Sequence, residues 1–375
     1  MGRRLLVVGV AIALALAPRT VSAHALLLDS DPSPDSILTA TPATVALIFT
    51  EGVTPAGKGI KVFSPAGHQV AGPARPVGHL LTAPISGSEI GTYVVTWQVL
   101  AADTHASRGA FRFVVGQPSS NPYSPLLSGG AIGTATPLGF VLQALARWMH
   151  FLGVALTFGT ITYQLITRRE PRLRRLVVAG LGLLISAEPV ALVAQLASLS
   201  FDGDTAIAVL GSGFGRLLGL RLAIALLVWA LLAVETLWPV IGLGLVMALI
   251  DGASGHAIPG LPGAGVLLDA FHVAAMGLWV GGLAAFLYAP DRRFAPYAAW
   301  GFGVSVASGL LLALAHIGFP TALLTTQYGW AVAVKISLVA VALAMAVLGR
   351  RRIEFGVVAL VVAVAAALVS LPPPR

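Results

Sequence analysis

Apolar residues are distributed along this chain in two ways. Between residues 24 and 116 they come in short runs, at 45–49, 59–63, 93–99 and 111–115, separated by clusters of Pro, Gly, Ser and Asp. Short runs of β-branched and aromatic residues bounded by turn formers predict strands. Several at this spacing predict a small all-β antiparallel sandwich of immunoglobulin- or cupredoxin-like, Greek-key type. From residue 137 the apolar stretches lengthen, to about 138–166, 176–200, 214–235, 237–251, 264–288, 296–317, 329–349 and 354–370. A helix needs ~20 apolar residues to cross a bilayer, so this half predicts an all-α polytopic membrane bundle of about eight transmembrane helices. The fourth and eighth stretches are short for that task.

Two further segments complete the organisation. Residues 1–23 have a basic start, an apolar middle too short for a comfortable span, and Val21-Ser22-Ala23, a small-residue pattern suited to signal peptidase. Cleavage there makes His24 the first residue of an exported chain. Residues 117–136 are rich in Pro, Gly and Ser and carry no charge, which is a linker composition. The expected order is signal peptide 1–23, β domain 24–116, linker 117–136 and membrane domain 137–375.

Composition narrows the class. Of 375 residues 57% are hydrophobic and only 10% charged, with a mean hydropathy of +0.89. A soluble protein carries roughly a quarter charged residues, so a single soluble domain is excluded. The chain has no Cys, which removes disulfides, zinc ribbons, iron–sulfur clusters and thiol catalysis together. A net charge of +8 raises the question of nucleic acid, and the location of the charges answers it. Residues 24–116 hold five basic and six acidic side chains, whereas 137–375 hold fifteen basic against nine acidic. The basic excess therefore belongs to the membrane half and implies no nucleic-acid partner. With the β domain outside, Arg168, Arg169, Arg172, Arg174, Arg175, Arg292, Arg293 and Arg350 to Arg352 fall in inner loops. The outer loops 201–213, 251–263 and 318–328 hold no Lys or Arg. Positive-inside and signal-peptide logic agree.

Candidate chemistry in the exported part is sparse. A first residue His24 offers an α-amine and an imidazole that can close a chelate ring. Asp103-Thr104-His105 places two ligand-type side chains two residues apart, on one face of a strand. Nitrogen and carboxylate donors without sulfur suit Cu(II) better than Cu(I), although an Asp-x-His pair alone reads equally as a solvated strand end. His68 and His79, in Gly/Pro-rich loops, read as surface residues.

The stretch HALLLDSDPSPDSILTATPATVALIFTEGV, followed by YVVTWQVLAADTHASRGAFRFVVG, resembles the periplasmic copper-binding CopC family across essentially all of residues 24–116. The resemblance implies Cu(II) ligation by His24 through amine and imidazole, by Asp103 and by His105, with Glu51 as an axial or neighbouring group. Ala101 and Thr104 stand where relatives often have Ser and Gly, and neither change removes a ligand. Residues 24–148 contain no Met, so the Met-rich Cu(I) site of some relatives is absent and this domain is expected to hold oxidised copper.

Ionisable groups within spans are costly and are functional candidates by default. Asp269, His272 and Met276 fall on one helical face of the fifth span. With His256 in the preceding loop, His316 at the end of the sixth span and His150 in the first, they are the transport candidates. Arg147, Arg216 and Arg221 read as interhelical pairs or interface anchors. Glu188 and Lys335 add buried charge, and for Lys335 a counter-ion and a structural pair stay open. The pieces ARWMHFLGVALTFG, SGHA, LLDAFHVAAMGLWVGGL, ASGLLLALAHIG and TTQYGWAVAVKISL resemble, in order, the copper resistance CopD family over about 138–370. The similarity implies a multi-pass protein of the bacterial cytoplasmic membrane, embedded in lipid, with its N-terminal domain on the extracytoplasmic side.

The expected function is copper uptake without enzymatic activity: the exported domain captures Cu(II) and the membrane domain moves copper inward, in an oxidation state the sequence leaves open. No nucleotide-binding motif is visible, so coupling would be to an ion gradient or downhill flow. A reductase or a copper acceptor protein would be a further partner. Three rivals remain: a b-type cytochrome using pairs among His150, His272 and His316, an oxidative copper enzyme, and a copper sensor or store without transport.

Overall fold

A computed structural model of the chain describes residues 25–101, 106–128, 136–168, 173–255, 258, 261–317, 319 and 321–371. These fall into two compact units, one built on the β-strands together with residues 192–216, the other on the remaining helical chain. The expected signal peptide lies outside the described residues.

Eight strands form the first unit's sandwich: β1 (Leu27–Asp31), β2 (Ile37–Leu38), β3 (Thr44–Phe49), β4 (Val53–Phe63), β5 (Arg75–Val77), β6 (Leu80–Pro84), β7 (Gly91–Ala101) and β8 (Ala106–Val115). They make two four-stranded sheets, ordered β1-β3-β6-β5 and β2-β8-β7-β4. All pairs are antiparallel except β2 with β8, so the second sheet is mixed at its edge, a departure from the purely antiparallel expectation. Period-two alternation builds the core. Val45, Leu47 and Phe49 of one sheet meet Tyr93, Val95, Trp97, Phe111 and Phe113 of the other, all nearly inaccessible. Asn121, in the segment expected as linker, donates its side-chain amide to the carbonyls of Ser64 and Thr92 and so pins that segment to the sandwich.

The helices are α1 (Pro137–Thr167), α2 (Arg174–Ser198), α3 (Gly203–Gly211), α4 (Gly213–Ala233), α5 (Trp238–Ser254), α6 (Pro262–Tyr288), α7 (Ala295–His316), α8 (Gln327–Val347) and α9 (Arg351–Val369). Among the described residues seven helices are long and apolar enough to cross a membrane, and α5, at 17 residues, is shorter. The chain is a multi-pass membrane protein. The expectation of eight segments holds with one adjustment, since α9 reaches spanning length and α5 does not. α3 corrects the reading of 201–213 as a plain loop. Asp202 caps it, accepting from Thr205 N at 2.8 Å. The Ser200 hydroxyl, then the Thr205 amide, hold the Asp202 carboxyl below the usual carboxylate range. Val209 packs with Ala56, Leu100 and Leu199 of the same unit.

In the second unit, α1 has one π-helical turn, Ala155–Gly159, buried throughout. There α1 and α6 approach closely: a Cβ on Gly159 would overlap the Gly277 carbonyl, and one on Gly281 would overlap the Ala155 carbonyl. Without a hydrophobic drive between helices in lipid, such small-residue contacts supply the packing.

Candidate metal centre and buried charge clusters

In the β unit, pairing register brings four chain segments to one end of the sandwich. Leu27 pairs with Phe49, Leu26 N donates to Thr50 Oγ1 at 3.0 Å, and Thr50 N donates to Leu26 O at 2.9 Å. Residues 25 and 26 thus lie beside Glu51, which is only 4% exposed. Val53 pairs with Ala101 and Leu100 with Ala106, which sets the stem of the β7–β8 hairpin next to the same corner. Ser107 Oγ closes the arrangement by donating to Ala25 O at 2.7 Å. His24, Asp103 and His105 lie outside the described residues, while their described neighbours Ala25, Ala101 and Ala106 converge. The hairpin is held by its own packing: the Trp97 indole fills the space beside Gly109, and Phe113 stacks on Tyr93 at 5.0 Å. His68 and His79 are exposed, as expected.

In the helical unit His150 is 4% exposed and sits between two buried carboxylates. Its Nδ1 is 3.3 Å from Glu188 Oε1 of α2, and its Nε2 is 3.0 Å from Asp251 Oδ1 of α5. Arg221 of α4 reaches the same Asp251 oxygen at 2.8 Å and donates to Ser254 Oγ at 2.8 Å. Four helices thereby share one charge network. Arg221 is the interhelical pair the sequence suggested, and Arg147 donates to Ser370 Oγ at 3.0 Å.

A second cluster surrounds His272 of α6. Its Nδ1 is 2.9 Å from Ser305 O and 3.1 Å from Ser308 Oγ, both on α7. Lys335 Nζ of α8 stands 3.4 Å from Nε2, and the ring lies over Gly309. One turn earlier on α6, the Asp269 carboxylate rests against Gly255 and is coupled electrostatically to Asp251 and to Lys335. Met276 packs among apolar side chains with Trp279 and Phe302, and His316 Nδ1 is 2.8 Å from Leu312 O. His256 lies outside the described residues.

Of the described transport candidates, His150 sits in one cluster and Asp269 and His272 in another, while Met276 and His316 have contacts of their own. Among the described residues no three His, Asp or Glu side chains are arranged to hold a metal ion. Around His150 the reason is geometric, because the carboxylates engage opposite ring nitrogens. The same engagement bears on the cytochrome reading at His150 alone, where both ring nitrogens face carboxylates; at His272 and His316 only Nδ1 faces a protein oxygen, which leaves Nε2 as the atom a metal would take.

Asp251, Ser305 and Ser308 were not singled out from sequence. Asp251 had a signal, being the sole ionisable residue of an otherwise apolar helix. The two serines had none, since small hydroxyls are routine in membrane helices.

A family model described as CopC domain matches residues 27–116, and one described as Copper resistance protein D matches 291–353. The copper transport protein CutJ of Bacillus subtilis is 25% identical over 368 residues, covering 86% of this chain and 66% of that relative. This chain therefore spans just under two thirds of CutJ. Protein YobA of Escherichia coli K12 is 33% identical over 101 residues, or 26% of this chain and 82% of YobA. Among solved structures, CopC from Methylosinus trichosporium OB3b is 33% identical, covering 27% of this chain and all of that one, with a TM-score of 0.24.

Proposed function

The chain belongs to the CopC family of copper-binding domains, joined here to a copper resistance protein D segment, and from that premise we propose that it captures Cu(II) outside the cytoplasmic membrane and moves copper inward. In this reading cleavage frees the His24 amine. His24, Asp103 and His105 then ligate Cu(II), with the buried Glu51 carboxylate beside them. The observation that carries it is the Ser107–Ala25 hydrogen bond of 2.7 Å together with the Leu27–Phe49 and Val53–Ala101 pairings. These tie Ala25, which follows His24, and Ala101, two residues before Asp103, to the corner where the β7–β8 hairpin that carries His105 is anchored. Nitrogen and carboxylate donors match oxidised copper. Because the imidazoles and amine must be deprotonated to bind, affinity falls as the pH drops from about 8 through the ordinary histidine range.

Within the membrane the cargo path draws on Asp269, His272 and Met276 along α6, with His256 and His316 near its outer end. For His272 to ligate through Nε2, Lys335 must withdraw. Asp269, to which Lys335 is already coupled, is the group that can receive it. His150 stands apart from this path, with both ring nitrogens engaged by carboxylates.

The test is total copper in bacteria grown at limiting copper and expressing the intact chain or His272→Ala at matched levels. The expected outcome is copper above the empty-vector control that falls several-fold with His272→Ala. Equal copper in all strains overturns uptake, and lowered copper reverses the direction.

A further inference from the structure

The His150 network makes a demand on protons that cargo binding does not explain. A neutral imidazole has one N–H and one lone pair, yet both ring nitrogens of His150 face carboxylate oxygens, at 3.3 and 3.0 Å. Carboxylates are acceptors when ionised. Both contacts become hydrogen bonds only when an additional proton is present, on the ring or on one of the two carboxyls, and the Arg221 pairing to Asp251 favours the ring or Glu188. Charge points the same way: an imidazolium and the Arg221 guanidinium cancel the charges of Glu188 and Asp251. Loss of that proton leaves one uncompensated negative charge beside His150, Glu188 and Asp251, each 4% exposed, a costly arrangement in a buried membrane site.

Glu188 Oε2 and Arg221 Nε are buried and have no hydrogen-bond partner among the described residues. On α1 the neighbouring Arg147 is turned to Ser370. On α6 Asp269 adds a further carboxyl group that interacts with Asp251 and with Lys335 of α8. The site therefore has one carboxylate locked by arginine, Asp251, and one, Glu188, free to share a proton with the ring.

We propose that His150, Glu188, Asp251 and Arg221 form a proton-binding site of the membrane unit, loaded with one proton in this conformation, whose unloading is coupled to passage of the ion. The coupling half rests on the transport reading above; the proton-binding half does not. The step moves a proton only: it enters from one side of the membrane onto the Glu188–His150 pair and leaves to the other side, with no change in oxidation state.

Glu188→Gln tests it specifically. The Gln amide can donate to the lone pair of neutral His150 while Asp251 still accepts from the other nitrogen, so the network is satisfied without the extra proton. The full chain is placed in liposomes with a pH dye inside, and copper accumulation is measured with and without a one-unit pH gradient. At one proton per ion the wild type is expected to change its accumulation ratio about tenfold and to shift internal pH as copper enters. Glu188→Gln is expected to carry copper with no response to the gradient. Wild-type accumulation that ignores the gradient and moves no protons overturns the coupling while leaving transport intact. No copper entry under either condition overturns transport. Infrared pH titration of the same preparation then decides the proton site: a titrating histidine–carboxylate signal lost in Glu188→Gln supports it, and identical titrations overturn it. Should Glu188→Gln fail to assemble, His150→Gln, which removes the titrating ring, is read the same way.

Discussion

Gly109 is glycine because the Trp97 indole occupies the space a Cβ would need. Trp97 is 1% exposed and lies in the sandwich core, so it cannot swing aside without opening the β7–β8 hairpin. Gly109→Ala is expected to destabilise the β unit by about 1–3 kcal/mol through overpacking. It should appear as faster amide exchange along β7 and β8, and unchanged exchange would show that the indole yields freely. Nothing in the local pattern around Gly109 requires a glycine; its reason is a ring from the neighbouring strand. Asp251 is the converse case. A lone carboxylate at the end of an apolar helix was visible by chemistry, but its partners are 101 residues away at His150 and on α4 at Arg221, and no local spacing links them.

At the scale of elements, the long apolar helices were legible because the bilayer imposes length and composition on each segment separately. Every stretch expected to span corresponds to a helix. The four apolar runs at 45–49, 59–63, 93–99 and 111–115 lie in β3, β4, β7 and β8, whereas β1, β2, β5 and β6 have no such run of their own among those four. The latter strands are short, and their stability comes from pairing rather than from their own pattern. α3 was missed for a related reason: its buried Val209 finds its partners on β4, β7 and α2. Where helices meet, glycines set the spacing. Gly281→Ala is expected to lower stability by about 1–3 kcal/mol, since a backbone carbonyl cannot move aside as a side chain can. Gly356→Ala on α9, with open space around it, is expected to be neutral or to stabilise by up to ~1 kcal/mol. Thermal melts of the two variants in detergent check the contrast, and equal melting temperatures would deny the α1–α6 contact its importance.

For the whole molecule, the proposed copper centre depends on chain ends and turns far apart in sequence. One residue added before His24 moves the α-amine away and is expected to weaken Cu(II) binding by the full chain at least as much as His105→Ala. Competition titration with a Cu(II) chelator measures this, and undiminished affinity in the extended form would remove the amine from the site. The sequence by itself determined the two-part architecture, the class of each part, the candidate ligands and the family, because these depend on local periodicity, segment length and ordered motifs. Tertiary structure alone decided which of those groups meet. It brought Ala25, Glu51, Ala101 and Ala106 to one corner through strand register, and it placed His272 against α7 and Lys335. It set His150 between two carboxylates from helices that local pattern cannot relate. The physical reason is that secondary structure answers to neighbours within a few residues, whereas a charge buried in the membrane interior must find its counter-charge wherever packing delivers it.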